Sequence, residues 1–215
     1  MNDFIQTIAV YAIPVIFAIT LHEAAHGYVA RLFGDPTAQQ AGRVTLNPIK
    51  HIDPVGTLLV PVVILLTSKL LGAGGLLFGW AKPVPVDFGR LRHPKRDMLW
   101  VALAGPASNL LMAILWVLCF RVYRDIGLDE SFWYEMAQAG ISVNLVLMAL
   151  NLLPILPLDG GRILFSLLPH RLAWQYSRIE PYGLIIVLVL LVTDVLWILM
   201  EPIFSLGAGI VNWFL

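Results

Sequence analysis

Long apolar runs constrain this chain more than any other feature of its sequence. Hydrophobic residues make up 59% of its 215 residues and charged residues 13%, whereas soluble domains are typically about 45–50% apolar and about 25% charged. A helix needs about 20 consecutive apolar residues to cross a bilayer. The sequence therefore predicts membrane segments at 4–33, 55–71, 98–122, 135–156 and 181–200, followed by a short apolar tail at 203–215 that either spans the membrane or lies in its interface.

Basic residues indicate how these segments are oriented. They concentrate in three connections, 31–50, 82–96 and 162–178, which the positive-inside rule assigns to the cytoplasm. If 55–71 crossed the membrane completely, the basic connection 82–96 would lie outside, which contradicts the positive-inside rule. Polar residues and glycines also interrupt the apolar run that continues to residue 80. We therefore predict that 55–80 is re-entrant, that the N-terminus is external, and that the first and fourth segments run parallel.

The motif His22-Glu23-Ala24-Ala25-His26 follows the apolar run 4–21 on the first predicted helix. Two histidines four residues apart lie on one helical face, so both imidazoles can reach a single Zn²⁺. Glu23 lies beside that face, where it can take a proton from an activated water. A charged side chain at the bilayer centre costs about 2.5–3.5 kcal/mol, so such a cluster needs a metal, a wet cavity or polar partners. The alternative is a helix end whose polar residues face the lipid headgroups.

A catalytic zinc takes a third protein ligand and keeps one position open, and Asp159 is the candidate for that ligand. It follows a stretch, 141–158, that contains no other carboxylate. The prolines at 154 and 157 break the helix before it, and the two glycines after it let backbone approach whatever the aspartate holds. The alternative interpretation of Asp-Gly-Gly is an ordinary helix end at the membrane interface.

Further segments are candidates for contact with a substrate. Gly105-Pro-Ala-Ser-Asn109 puts small residues on a predicted helix, where Asn109 either bonds across a helix contact or reaches the substrate. Segment 43–47, which ends at Asn47, is typical of a short strand whose edge can bind an unwound peptide. His51 then contacts the metal water, the substrate or a cytoplasmic plug, and the alternative is a capped loop. The proline-held segment 80–86 is a candidate gate.

At these residues the chain resembles the site-2 protease family of intramembrane zinc metalloproteases. It looks most similar to the compact prokaryotic members, which lack PDZ and CBS modules. The resemblance implies one catalytic zinc held by His22, His26 and Asp159, with Glu23 as the general acid/base. It also implies that Asn151 polarises or holds the scissile peptide. The matching stretches are 22–26, 105–109 and 151–161.

The expected fold is an all-α polytopic membrane protein of about five to six segments, with a short β-strand or hairpin near the active site. We expect a single domain at 1–215, with a catalytic core at about 4–165 and C-terminal helices at about 179–215. The expected function is zinc-dependent cleavage of transmembrane protein or peptide substrates within the lipid bilayer, in regulated intramembrane proteolysis or signal-peptide clearance.

The expected location is a prokaryotic inner membrane, with the active site toward the cytoplasmic leaflet. A formal net charge of zero gives no sign of a nucleic-acid partner. Two alternatives remain at this point. One is a membrane protein that binds or transports a metal, and the other is a catalytically inactive homologue that acts as a scaffold.

Overall fold

The computed structural model describes residues 2–53, 56, 82–127 and 131–215. The predicted re-entrant segment 55–80 therefore lies outside the described residues, apart from Gly56. The described residues form eight α-helices, α1 Asn2–Leu32, α2 Thr37–Gln40, α3 Pro94–Asp125, α4 Ser131–Asn151, α5 Asp159–Leu167, α6 His170–Ser177, α7 Gly183–Val192 and α8 Val195–Asn212. Short 3-10 turns lie at Pro48–Lys50, Phe88–Arg90 and Glu180–Tyr182.

Four helical stretches of the described chain are long and apolar enough to cross a membrane, namely Gln6–Leu32, Pro94–Asp125, His170–Val192 and Val195–Asn212. The membrane character predicted from composition is confirmed in this form. Helix α4 is not among the four because Glu135, Gln138 and Asn144 reduce its mean hydropathy. The larger number of five to six segments stays a prediction.

The predicted segment 181–200 is wrong as a single helix. The chain breaks at Asp194, whose φ of 59° is left-handed, a conformation that aspartate tolerates better than most residues. Helix α7 ends before this break and α8 begins after it. The apolar tail at 203–215 is consequently no separate element, since most of it continues α8.

Helices α1, α3 and α4 form the centre of the molecule, each packing against the other two. Near the start of α1, Gln6 Nε2 donates to a Glu135 carboxylate oxygen of α4 at 3.3 Å. Val10 of α1 packs in one buried cluster with Trp116 of α3 and Ala139 of α4. Near the other end of α1, His26 contacts the backbone of Val101, which lies in the first part of α3. Helices α1 and α4 thus run in the same direction and α3 runs against them, while α5 packs on α3 and α8 on α4.

The predicted strand at 43–47 is wrong, and the described residues contain no strand. The backbone there forms local hydrogen bonds in place of a ladder. Arg43 N–H donates to the Ala38 carbonyl at 2.9 Å, and Asn47 N–H donates to the Thr45 hydroxyl at 3.1 Å. These bonds hold the segment in bends and leave it without a partner strand among the described residues.

Candidate metal centre

The predicted ligands His22, His26 and Asp159 lie together at the contact between α1 and α5. The Nε2 atoms of His22 and His26 are 3.0 Å apart, and Oδ2 of Asp159 lies 3.2 and 3.3 Å from them. All three residues are nearly buried, with 8–9% of their surface exposed. Among the described residues, no other group of three histidine, cysteine or carboxylate side chains is placed to hold a metal ion.

Hydrogen bonds to the far ring nitrogens fix the tautomers of both histidines. His26 Nδ1 lies 2.7 Å from the Val101 carbonyl, which can only accept, so this nitrogen carries the hydrogen. His22 Nδ1 lies 2.6 Å from Asn109 Oδ1. The Asn109 amide cannot be flipped, because its nitrogen donates to the Ala18 carbonyl at 3.3 Å. With the hydrogen on Nδ1, each imidazole in its neutral form presents a bare Nε2 lone pair toward the other.

This donor set fits zinc. Two imidazole nitrogens converge with Asp159 Oδ2, a buried acceptor without a hydrogen-bond donor among the described residues, and a bound cation would satisfy all three atoms. Zinc bonds of about 2.0–2.1 Å at tetrahedral angles separate neighbouring ligand atoms by about 3.3–3.4 Å. The observed separations of 3.0–3.3 Å are close to that spacing.

Asn109 belongs to a chain of buried amides that supports His22. Its nitrogen also donates to Asn144 Oδ1 of α4 at 3.0 Å, and the Asn144 nitrogen donates to the Gly140 carbonyl at 2.8 Å. Both asparagines are fully buried. Of the two roles considered for Asn109, the structure places it in a helix contact. It orients the candidate ligand His22 through Nδ1, the ring nitrogen that faces away from His26 and Asp159, an arrangement that usually raises metal affinity.

We expect Asn109→Ala to weaken zinc binding by about 10- to 100-fold, because the substitution removes the acceptor that fixes the ring and tautomer of His22. Competition for zinc with a chromogenic chelator on the purified protein measures this effect. Ser108→Ala is the matched control, since among the described residues the Ser108 hydroxyl bonds the Gly105 carbonyl of its own helix alone. Equal zinc affinities in the two variants contradict the assigned role.

Gly105 of α3 forms the floor of the centre. A Cβ atom placed on it lies 2.4 Å from His26 Nε2 and 2.6 Å from His22 Nε2. No side chain fits there while both imidazoles keep their positions. Sequence reasoning attributed this glycine to close helix packing, and the structure shows that what approaches so closely is the pair of ligands.

Glu23 is half-buried beside the ligands and contacts a segment that is far away in sequence. Its Oε2 accepts a hydrogen bond of 2.7 Å from the Val84 backbone N–H. The glutamate is therefore held by one oxygen, which sequence reasoning on the metal motif alone does not anticipate.

Asn151 is the last residue of α4, and its amide nitrogen donates to the Leu147 carbonyl at 3.0 Å. This bond uses one of its two N–H hydrogens and holds the group at the helix end. Asp159 begins α5 a short loop later, where the helix dipole favours a carboxylate. A Cβ on Gly160 lies 2.2 Å from the Leu152 carbonyl oxygen. The backbone that comes close to these two glycines is therefore the loop that connects α4 to α5.

The remaining predicted residues do not join the centre. Asn47 is exposed and caps the following 3-10 turn, with its Oδ1 accepting from Ile49 N–H at 3.1 Å. His51 is only 2% exposed, and its Nε2 lies 3.0 Å from the Thr45 carbonyl. Both residues form hydrogen bonds within the loop after α2. This is the capped loop that the sequence analysis gave as the alternative to a substrate contact.

Two comparisons with known proteins bear on this centre. Residues 126–193 match the sequence profile described as peptidase family M50. A protein of Bacillus subtilis named putative zinc metalloprotease YwhC is 38% identical over 200 residues, which cover 91% of this chain and 85% of that protein. The chain belongs to peptidase family M50.

Other relatives match over shorter shares of their own length. Putative zinc metalloprotease Rip2 of Mycolicibacterium smegmatis is 32% identical over 84% of this chain and 66% of its own length. Zinc metalloprotease MJ0392 of Methanocaldococcus jannaschii is 27% identical over 79% of this chain and 37% of its own length. No solved structure gives a significant match. The predicted family, peptidase class and zinc cofactor are all confirmed at the level of the family.

Proposed function

We propose that this M50 peptidase is an intramembrane endopeptidase that cleaves transmembrane protein or peptide segments. The observation that carries the proposal is the position of the ligand triangle. Two of its corners, His22 and His26, belong to α1, and the stretch Gln6–Leu32 is apolar and long enough to cross a membrane. A hydrolytic centre built on such a helix meets substrates at membrane depth. A substrate helix must unwind there, because its own hydrogen bonds shield the peptide bond.

The residues of the centre divide the chemistry of amide hydrolysis. Zinc, if held by His22, His26 and Asp159, would act as a Lewis acid. Glu23 takes a proton from the attacking water as the new C–O bond forms. Glu23 then returns the proton to the leaving amine as the C–N bond breaks. The Asn151 amide donates its second N–H to the oxygen of the scissile carbonyl.

The same reasoning extends to location. Basic residues concentrate in the connections at 31–50, 82–96 and 162–178, and the positive-inside rule places them in the cytoplasm. His22 and His26 lie in the half of α1 that leads into the first of these connections. We therefore propose a prokaryotic inner membrane protein whose centre faces the cytoplasmic leaflet.

The test is cleavage in proteoliposomes with the full chain. Two substrates carry the same cleavable sequence, one inside a single-pass transmembrane segment and one in a water-soluble carrier. We expect cleavage of the membrane substrate alone, its loss with a chelator, and its recovery with added Zn²⁺. Preferential cleavage of the soluble carrier contradicts the intramembrane proposal.

Metal transport is the rival function, and one observation disfavours it. A transit path needs successive sites, whereas the described residues hold a single group of metal ligands. Zinc flux into the same proteoliposomes, measured with an internal fluorescent indicator, separates the two functions. We expect flux at the level of protein-free vesicles.

A further inference from the structure

The segment 82–87, which we call the strap, has no regular secondary structure and contacts α1 beside His22 and His26, and its two prolines favour an extended backbone. Its first residue is held from two sides. Lys82 N–H donates to the His51 carbonyl at 3.0 Å, and the Lys82 carbonyl accepts from Arg43 Nη2 at 2.6 Å. At its other end, Asp87 N–H donates to Asp35 Oδ2 at 2.7 Å. The strap is thus held at both ends by residues of the segment 35–51, which follows α1.

Asp35 is a durable anchor for the strap. Its side chain is fully buried. Burial disfavours its charge, yet hydrogen bonds from Thr37 and the Asp87 amide outweigh that cost and lower the pKa of Asp35 below its usual value. The carboxylate is therefore ionised at neutral pH and accepts both sets of bonds.

The sequence of the strap leaves one amide available at its centre. Pro83 and Pro85 have no N–H, so Val84 is the sole backbone donor of the Pro-Val-Pro triplet. That single N–H points at Glu23 Oε2, 2.7 Å away. This contact therefore fixes one oxygen of the glutamate.

Gly27 makes room for this approach. It lies one turn after Glu23 on α1, and a Cβ atom placed on it comes within 3.1 Å of Val84 Cγ1 and 3.0 Å of Val44 Cγ2. The Val84 side chain, 8% exposed, packs against the surface of α1 that this glycine leaves bare. The distance between the strap and the helix is therefore set by the absence of a side chain at position 27.

We propose that the strap is a positioning element for the general base, in which the Val84 amide holds one oxygen of Glu23 and directs the other at the reacting water. This inference rests on the proposed function, because it assigns Glu23 the proton-transfer role. Glutamate has three freely rotating side-chain bonds, and without the strap it samples orientations from which proton transfer does not occur. Val84 thus acts through Glu23 and does not itself touch the substrate.

The first test compares Val84→Pro with Val84→Ala in the proteoliposome assay. Proline fits an already extended Pro-x-Pro stretch and removes the N–H, whereas alanine keeps the N–H and trims the side chain. We expect Val84→Pro to lower kcat about 10- to 100-fold with little change in KM and one zinc still bound per chain. Val84→Ala should keep kcat within about three-fold of the wild-type value. Equal kcat values in the two variants overturn the proposal.

Thermal unfolding gives a second readout, independent of catalysis. If the amide bonds Glu23, then Val84→Pro lowers Tm less in a Glu23→Ala background than in the wild-type chain, because the partner is already absent. Strict additivity of the two Tm shifts counts against the contact. This cycle also decides the matter if Val84→Pro proves less stable.

Gly27→Ala tests the strap without altering its backbone or Glu23. Its added methyl group crowds Ala38, Val44 and Val84 and pushes the strap away from α1, and we expect kcat to fall about ten-fold while zinc content is retained. Gly209→Ala is the matched control, since a Cβ there meets nothing within 4 Å, and its activity should equal that of the wild type. Full activity in Gly27→Ala contradicts the positioning role of the strap and leaves the proposed function intact. An inactive wild-type protein, with zinc bound, instead refutes the proposed function.

Discussion

Glu23→Gln is expected to reduce cleavage by about 10²- to 10⁴-fold, the usual contribution of a general acid/base. Glutamine has nearly the same shape and still accepts the hydrogen bond from Val84 N–H, but it cannot take up a proton at neutral pH. The three metal ligands are untouched, so the variant should bind one zinc per chain. Single-turnover cleavage in proteoliposomes and zinc quantification on the same preparation measure the two quantities together.

The matched control is Glu201→Gln. Glu201 is exposed on α8 and accepts a hydrogen bond from the Ser205 hydroxyl at 2.7 Å, away from the metal ligands in sequence and element. Its substitution changes the same charge without entering the centre, and its activity should match that of the wild type. Undiminished cleavage by Glu23→Gln would falsify the role assigned to this carboxylate.

Gly105→Ala is expected to abolish zinc binding although it adds only one methyl group. The new Cβ lies 2.4 Å from His26 Nε2 and 2.6 Å from His22 Nε2, so both imidazoles must leave the positions in which their lone pairs converge. Alanine is favoured over glycine inside a helix by about 1 kcal/mol, so α3 itself should tolerate the change. Zinc content by plasma mass spectrometry should fall from one per chain to near zero, with loss of cleavage.

Gly209→Ala again provides the comparison, because it makes the same substitution inside α8 with open space around it. It should keep its zinc and its activity. Retention of a full zinc complement by Gly105→Ala contradicts the geometry described for the floor of the centre.

Helix periodicity explains how much of the centre could be predicted. The spacing of His22 and His26 puts both side chains on one face of any α-helix, whatever surrounds it. Apolar length alone likewise identified the stretches that became α1 and α3. Asp159 was predicted by its isolation in an apolar region, and its approach to the histidines became visible only when α5 was seen packed against α3.

Local backbone chemistry explains the errors. The division of 181–200 follows from one residue, Asp194, whose left-handed conformation has no signature in hydropathy. The strand predicted at 43–47 failed because its β-type residues bond locally and have no partner among the described residues. A strand requires a neighbour, and a single segment of sequence does not specify one.

The sequence by itself determined the membrane character of this protein, its M50-type motif and the residue types that suit zinc. Each of these depends on composition or on spacing within one helix. Tertiary structure decided the rest. The acceptor behind His22, the bare floor at Gly105 and the amide that holds Glu23 all come from segments far from the motif in sequence. Such contacts depend on how three helices and a strap pack, and no local pattern encodes that packing.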